Sequence, residues 1–275
     1  MEGIQEFIKR AKNNKISLIH CEQGKGINLR ARFNDGDEKQ NVYEAFNIPT
    51  ISHIRDYPHN TWLLDDIPAI GSTTYLFHAD KYGPEIASKM GAPQEQNFYA
   101  PHVYLDYNYD PLKDYTPLKD RHHNFIYIGS YKNPKNERDL FLSKYKEYMQ
   151  FYDLLVDAFM DEYHTPHHRI AEDVLKDKDI DINYKDTGYL LLTILTNRHV
   201  RFERRKRLFY KMLAYPIEII WSGDMLSPTN HGNVKANINY NGVTLDKSFK
   251  MMEQSKAMLM TLNSFSDCLS ERMLT

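Results

Sequence analysis

Short apolar runs alternate with amphipathic segments along the chain, and this alternation constrains the fold more than any other feature. Four runs in the first half have the length and composition of strands, at residues 16–20, 49–54, 73–77 and 97–100. Four more follow in the second half, at residues 124–130, 217–221, 237–240 and 258–262. Segments with apolar residues at helical spacing separate many of them, which is typical of βαβ units. The sequence therefore predicts an α/β fold with parallel sheets.

The pattern breaks between residues 104 and 123, where Asp, Tyr, Pro and Lys are frequent and no periodicity remains. The apolar run that follows ends in Gly129 and Ser130, as the first strand of a Rossmann-like domain typically does. A long helical stretch with an apolar stripe comes next, and a second helix is predicted over residues 188–213. We therefore predict two Rossmann-like domains, residues 1–110 and 111–275, with a helical insertion in the second.

The length of 275 residues is long for one domain and short for two. Each half has about four predicted strands, whereas a complete domain of this type has about six. Both predicted domains are therefore incomplete, which is what we expect of a fragment of a longer protein.

Charge and composition exclude several classes of protein. Lys and Arg number 35, against 37 Asp and Glu, so the net charge of −2 argues against a nucleic-acid-binding protein. No apolar stretch approaches the roughly 18 residues of a transmembrane segment. Residues 1–15 lack the apolar core of a secretory signal, and two cysteines are too few for a disulfide framework. We expect a cytoplasmic protein.

Polar and glycine residues cluster where the predicted strands end. Ligands of open α/β sheets bind outside the carboxyl ends of the strands, which makes these positions candidate sites. They are residues 20–26, 56–59, 78–80, 129–130, 222–224, 241–242 and 263–271. The alternative explanation is that loops are polar because they are exposed.

Two of these features are suited to binding phosphate. Backbone N–H groups at Gly129 and Ser130, with the helix N-terminus that follows, could bind a diphosphate. The turn has no complete G-x-G-x-x-G motif, so an ordinary strand–helix turn is the alternative. Arg198, Arg201 and Arg205 share one helical face, and guanidinium groups bind phosphate well. They indicate either a diphosphate clamp or a solvated helix surface.

Two further groups of titratable residues suggest other chemistry. Asp56 and His59 follow a predicted strand, where they could act as a general base toward a hydroxyl group or cap a proline-containing turn. Histidines also cluster at residues 122–123 and 164–168. Pro166 interrupts the second cluster and no cysteine or carboxylate pattern completes a zinc site, so we expect no metal.

Several segments resemble the CgeB-like (spore maturation protein) family of GT-B glycosyltransferases. In the second half these are the arginine-rich helix through the strand and turn at 222–224, residues 232–242, and residues 255–272 with the pair Glu271-Arg272. In the first half, residues 48–59 and 77–80 are similar to the N-terminal partner domain of the same family. The resemblance covers about residues 45–275, and the order of the segments is more specific than any one of them.

The resemblance implies an enzyme that transfers a sugar from a nucleotide-sugar donor to the hydroxyl group of an unidentified acceptor. In this family two Rossmann-like domains face each other, the second binds the donor and the first binds the acceptor. No metal or separate cofactor is required, because cationic side chains and a helix N-terminus neutralise the leaving diphosphate. The implied donor-binding residues are Gly129, Ser130, Arg201, Arg205, Gly223, Asp224, Asn263, Glu271 and Arg272. Asp56 and His59 are the candidate catalytic residues on the acceptor side.

The chain departs from the family at Thr275, where many relatives have a second acidic residue that holds the donor ribose. The last strands of the donor domain are also missing. An alternative hypothesis is therefore a non-catalytic binding or interaction module that retains the GT-B fold. A third is another α/β enzyme that binds nucleotides or phosphate esters.

Overall fold

The computed structural model describes residues 2–33, 38–55, 58, 63–101, 116–162, 165–180, 182–228 and 232–259. The helices and strands within them, in chain order, are α1 (Glu2–Lys12), β1 (Ile19–Glu22), β2 (Arg30–Ala31), β3 (Gln40–Asn41), α2 (Val42–Ala45), β4 (Thr50–Ile54), β5 (Thr74–His78), α3 (Gly83–Met90), β6 (Asn97–Tyr99), β7 (His123–Tyr131), α4 (Lys135–Lys144), α5 (Met149–Asp161), α6 (His167–Lys176), α7 (Thr187–Met212), β8 (Glu218–Gly223), β9 (Asn237–Asn239), α8 (Leu245–Glu253) and β10 (Ser255–Leu259). Single 3-10 turns occur at Ile67–Ala69, Gln94–Gln96, Leu118–Asp120 and Lys146–Tyr148.

The fold is α/β, as the sequence predicts, and it is built around two four-stranded parallel sheets. The described residues divide into two compact units. The first comprises the residues up to 101 together with residues 171–194, and the second comprises residues 116–170 and 195–259. Each unit contains one of the sheets, in line with Rossmann-like domains.

The sheet of the first unit has the strand order β1-β4-β5-β6. Neighbouring residues along a strand point to opposite faces, so Cys21, Ser52 and Leu76, which are paired across the sheet, share one face. All three are buried, and α3 packs against β5 and β6. On the opposite face Tyr75 and Phe98 remain 38% and 42% exposed. The core of this unit therefore lies on one face of its sheet.

The sheet of the second unit has the order β10-β7-β8-β9. Its core is aromatic, because Tyr127 on β7 and Trp221 on β8 are buried against the last turns of α7. The rings of Phe209 and Trp221 lie 4.7 Å apart, and both side chains are fully buried. Burying side chains of this size stabilises a fold by about 1.5–3 kcal/mol each, so α7 is anchored firmly beside β8.

Residues 171–194 pack with the first unit, although the sequence division at residue 110 places them in the second domain. The Nζ atom of Lys89 on α3 lies 2.5 Å from Oε1 of Glu172 on α6, which ties this segment to the first unit. The helix α7 spans 26 residues and includes the boundary between the units. None of the helices in the described part of the chain combines the length and the apolar composition that a membrane span requires.

Candidate functional site

The candidate site lies at the carboxyl edge of the sheet in the second unit. The chain forms β7 first and then adds β8 and β9 on one side of it, whereas β10 pairs on its other side. The strand order therefore reverses between β7 and β10. Open α/β sheets bind ligands outside the carboxyl ends of the strands at such a reversal. Ser130 and Tyr131 end β7 at this edge, and Ser222 and Gly223 lie beside them at the end of β8.

Arg205 lies at the end of β7, as the phosphate hypothesis requires. Its Nη1 group donates hydrogen bonds to the Ser130 carbonyl oxygen at 3.3 Å and to the Ser130 Oγ atom at 3.2 Å. The guanidinium group comes from α7, which is fixed to the sheet by its buried aromatic contacts. The structure thus brings together two predicted donor-binding residues that are 75 positions apart in the sequence.

Arg198 also belongs to this edge, through a carboxylate that the sequence analysis did not single out. Glu137 is the third residue of α4, which follows β7. Its Oε2 atom lies 3.2 Å from Nη1 of Arg198, and its Oε1 atom lies 2.8 Å from Nζ of Lys132. Burial raises the pKa of Glu137, but its hydrogen bond with Lys132 and its interactions with Arg198 outweigh burial and lower it below the usual value. Glu137 is therefore an ionised counter-ion between two cations.

Gly223 and Asp224 connect the ends of β8 and β7. The Asp224 N–H donates to the Tyr131 carbonyl oxygen at 2.9 Å, and Asp224 Oδ2 accepts from the Asn133 N–H at 2.7 Å. Gly223 has a φ of +88°, and a Cβ atom there would lie 2.1 Å from the Tyr131 carbonyl oxygen. These contacts shape the loop after β7. They are structural contacts, and the donor-binding role that the resemblance implies for both residues, beside the base of the donor, stays a prediction.

Gly129 has a packing role beside Tyr127. A Cβ atom at Gly129 would lie 2.4 Å from the Tyr127 ring, which is 1% exposed and belongs to the aromatic core. The absence of a side chain at this position therefore makes room for a neighbouring ring. A close approach of the backbone to a diphosphate is a separate hypothesis, which this contact neither requires nor opposes.

The remaining arginines of α7 have different surroundings. Arg204 donates from Nη2 to the carbonyl oxygens of Phe159 and Glu162, at 2.5 and 3.0 Å, and so satisfies the C-terminal end of α5. Burial and then the charges of Arg204 and Arg201 lower the pKa of His167 to about 4. Arg201, predicted to bind the donor, thus acts electrostatically on His167. The helical face predicted from the spacing is real, but its arginines meet different partners.

Five of the predicted site residues lie outside the described residues: Asp56, His59, Asn263, Glu271 and Arg272. Their roles stay predictions. Among the residues that are described, no group of three His, Cys, Asp or Glu side chains is arranged to hold a metal ion. His164, part of the histidine cluster, is also outside the described residues.

The carboxyl edge of the first sheet holds buried polar side chains that are already used by the fold. His78 is 1% exposed, its Nε2 group hydrogen bonds to Asn97 Oδ1 at 3.0 Å, and burial lowers its pKa to about 4. Asp80 Oδ1 accepts from the Tyr82 N–H at 2.8 Å, at the turn into α3. A Cβ atom at Gly83 would lie 2.5 Å from His78, so the helix starts directly against the histidine.

A cavity of about 610 Å³ lies elsewhere in the first unit, between α3 and the segment from Glu172 to Lys185. At this cavity Glu172 Oε1 accepts from Lys89 Nζ at 2.5 Å and from the Tyr184 hydroxyl group. Burial lowers the pKa of Lys89, but its bonds with Glu172 and Glu85 outweigh burial and raise it. The lysine is therefore a charged structural partner and is poorly suited to act as a nucleophile.

Comparison with models of known protein families finds no match to this chain, and neither the comparison with curated proteins nor that with solved structures finds one. The arrangement at the end of β7 can neutralise an anion, because it combines a helix N-terminus with guanidinium and ammonium groups.

Proposed function

We propose that this chain is a glycosyltransferase of the GT-B type that binds the diphosphate of a nucleotide-sugar donor at the carboxyl end of β7. The proposal depends on the cationic side chains around this strand end. Arg205 donates a hydrogen bond to Ser130, and Arg198 lies beside the start of α4. Guanidinium groups form strong, directed hydrogen bonds to phosphate oxygens. The sugar part of the donor is inferred from the resemblance to the CgeB-like family. The reversal of strand order supports nucleotide binding at this edge.

In the proposed reaction the acceptor hydroxyl oxygen attacks the anomeric carbon of the donor. The bond from that carbon to the diphosphate oxygen breaks, and the nucleoside diphosphate leaves with the electron pair. A general base takes the hydroxyl proton, for which Asp56 and His59 are the candidates. Arg205 and the N-terminus of α4 stabilise the negative charge that grows on the diphosphate. The pairing of two facing domains, with the acceptor bound by the first, is part of the proposal.

Calorimetric titration of the chain with a panel of nucleoside diphosphates tests the donor site. We expect Arg205→Ala to weaken binding at least tenfold, because a hydrogen bond to a charged group contributes about 1.5–3 kcal/mol. Arg207→Ala is the matched control, since Arg207 is exposed on the same helix, and its affinity should stay within twofold of the unchanged chain. Absence of binding to every diphosphate, or equal effects of the two substitutions, would contradict the proposal.

A non-catalytic binding or interaction module that retains the fold is the second candidate function. The ion pairs of Glu137 favour it, because a carboxylate holds two cations that a transferase needs for its leaving diphosphate. Assay of the same chain with the nucleotide sugar that binds best separates the two candidates. Sugar transfer to any acceptor, or to water, favours the enzyme, whereas binding without turnover favours the module.

A further inference from the structure

We propose that the Glu137 carboxylate is an internal competitor for the donor phosphate: it holds Lys132 and Arg198 while the site is empty, and a ligand phosphate displaces it. This inference rests on the proposed donor site, and it goes beyond that site by assigning a regulatory role to an anionic side chain within it. The ligand class is a diphosphate carried by a nucleoside or free in solution.

Lys132 and Arg198 belong to segments near the proposed donor site. Lys132 directly follows β7, and Arg198 lies on α7 two turns before Arg205, which contacts Ser130. Both cations therefore come from segments that border the end of β7. The Nη1 group of Arg198 lies 3.2 Å from one carboxylate oxygen of Glu137 and 3.4 Å from the other. It makes to this carboxylate the kind of contacts that it would make to a phosphate group.

All three side chains are accessible to a ligand from solution. Glu137 and Arg198 are 23% and 33% exposed, and Lys132 is 61% exposed, so water and solutes reach all three. Ion pairs of this exposure contribute little to stability and are exchanged easily. A diphosphate offers more charge and more acceptor oxygens than one carboxylate, so it competes well for the same cations.

Glu137 lies in the first turn of α4, near the helix N-terminus. The first N–H groups of a helix have no acceptor within it and attract negative charge. The helix N-terminus therefore stabilises a glutamate at this position when no ligand is bound. It would stabilise an anionic ligand at the same place. One carboxylate in the first turn of α4 thus holds the two cations that the ligand would use.

Glu137→Gln in the full chain tests the inference, with pyrophosphate and uridine diphosphate as probes in calorimetric titrations at low salt. We expect both probes to bind about two- to fivefold more tightly, which is the affinity equivalent of removing one partly exposed ion pair. Glu6→Gln is the matched control. It removes the same charge from an ion pair on α1 in the first unit, with Arg10 at 2.9 Å, and should change affinity by less than half as much.

The outcomes separate the two proposals. If the unchanged chain binds diphosphate but Glu137→Gln binds it equally or more weakly, or no better than Glu6→Gln, the inference is wrong and the donor site stands. If no variant binds diphosphate, the donor site itself is wrong. Urea unfolding of each variant checks the fold, and Glu137→Asp, which keeps the charge but shortens the side chain, should lie between the unchanged chain and Glu137→Gln in affinity.

Discussion

The glycines near the ends of β7 and β8 lie so close to neighbouring groups that a larger residue would clash with them. Gly129 makes room for the Tyr127 ring, and Gly223 combines a left-handed backbone with a close approach to the Tyr131 carbonyl group. Both positions were predicted to bind the donor, Gly129 at its diphosphate and Gly223 beside its base, because they are glycines at strand ends. Packing requires glycine at the same positions, so residue type alone could not separate the two explanations.

We expect Gly223→Ala to be strongly destabilising. A left-handed conformation costs an alanine about 1–2 kcal/mol, and a Cβ atom would also meet a backbone oxygen at 2.1 Å. Gly242→Ala is the control, because Gly242 also has positive φ but its nearest neighbour would lie 3.8 Å away. Chemical denaturation should show a larger loss of unfolding free energy for Gly223→Ala by at least about 1 kcal/mol. Equal losses would mean that the close approach is relaxed in solution.

The helix α7 shows how one regular element serves several purposes. Its sequence spacing predicts a shared face for three arginines, but the partner of each depends on which element lies opposite. Arg205 meets the end of β7, Arg198 meets Glu137, and the neighbouring Arg204 meets the end of α5. Helical periodicity is a local property and can be predicted, whereas these partners come from distant parts of the chain.

We expect Arg204→Met to destabilise the protein by about 1.5–3 kcal/mol, because it leaves carbonyl groups at the end of α5 without their charged donor. Methionine keeps most of the apolar stem, so the change reports mainly on the hydrogen bonds. Arg207→Met on the exposed side of the same helix should change the unfolding free energy by less than about 0.5 kcal/mol. Urea unfolding of both variants measures the difference, and similar values would show that Arg204 does not stabilise α5.

The sequence predicted most strands of the two four-stranded sheets to within two residues, including the edge strands β6 and β9, and was less accurate for β1 and β10. β4 and β5 lie within one residue of the predicted runs, since their apolar side chains are buried. β10 begins at Ser255, three residues before the predicted run, because it is an edge strand whose residues Lys256 and Ala257 are exposed. An apolar pattern marks only what is buried, so it cannot mark the start of such a strand.

At the scale of the whole molecule, each unit contains a histidine that resists protonation, which is buried in the first unit and half-buried in the second. Burial lowers the pKa of His78 in the first unit and of His167 in the second to about 4, against an ordinary value of 6.5. Between these pH values the unfolded chain binds more protons than the folded chain. The stabilising contribution is therefore complete above about pH 6.5 and decreases as the pH falls toward 4.

We expect thermal unfolding to shift to lower temperature between pH 6.5 and 4, with on the order of 3 kcal/mol lost for each of the two histidines. Replacing His78 by Gln should reduce this pH dependence, because glutamine does not titrate. His20→Gln is the control, since His20 is exposed on β1. Calorimetric scans at several pH values give the slopes. An unchanged slope in His78→Gln would show that this histidine is protonated in the folded protein.

The division of the chain between the units has a consequence for synthesis on the ribosome. Residues 171–194 belong to the first unit, yet they follow residues 116–170 of the second. At about 5–20 residues per second, translation of the intervening residues takes several seconds. During this delay the start of the first unit has emerged without Glu172, one of the two carboxylate partners of Lys89, and the core of the second also lacks the last turns of α7. The first unit therefore cannot finish folding before residue 194 is made, and the second cannot finish before β10 is made, so the second unit is completed several seconds after the first.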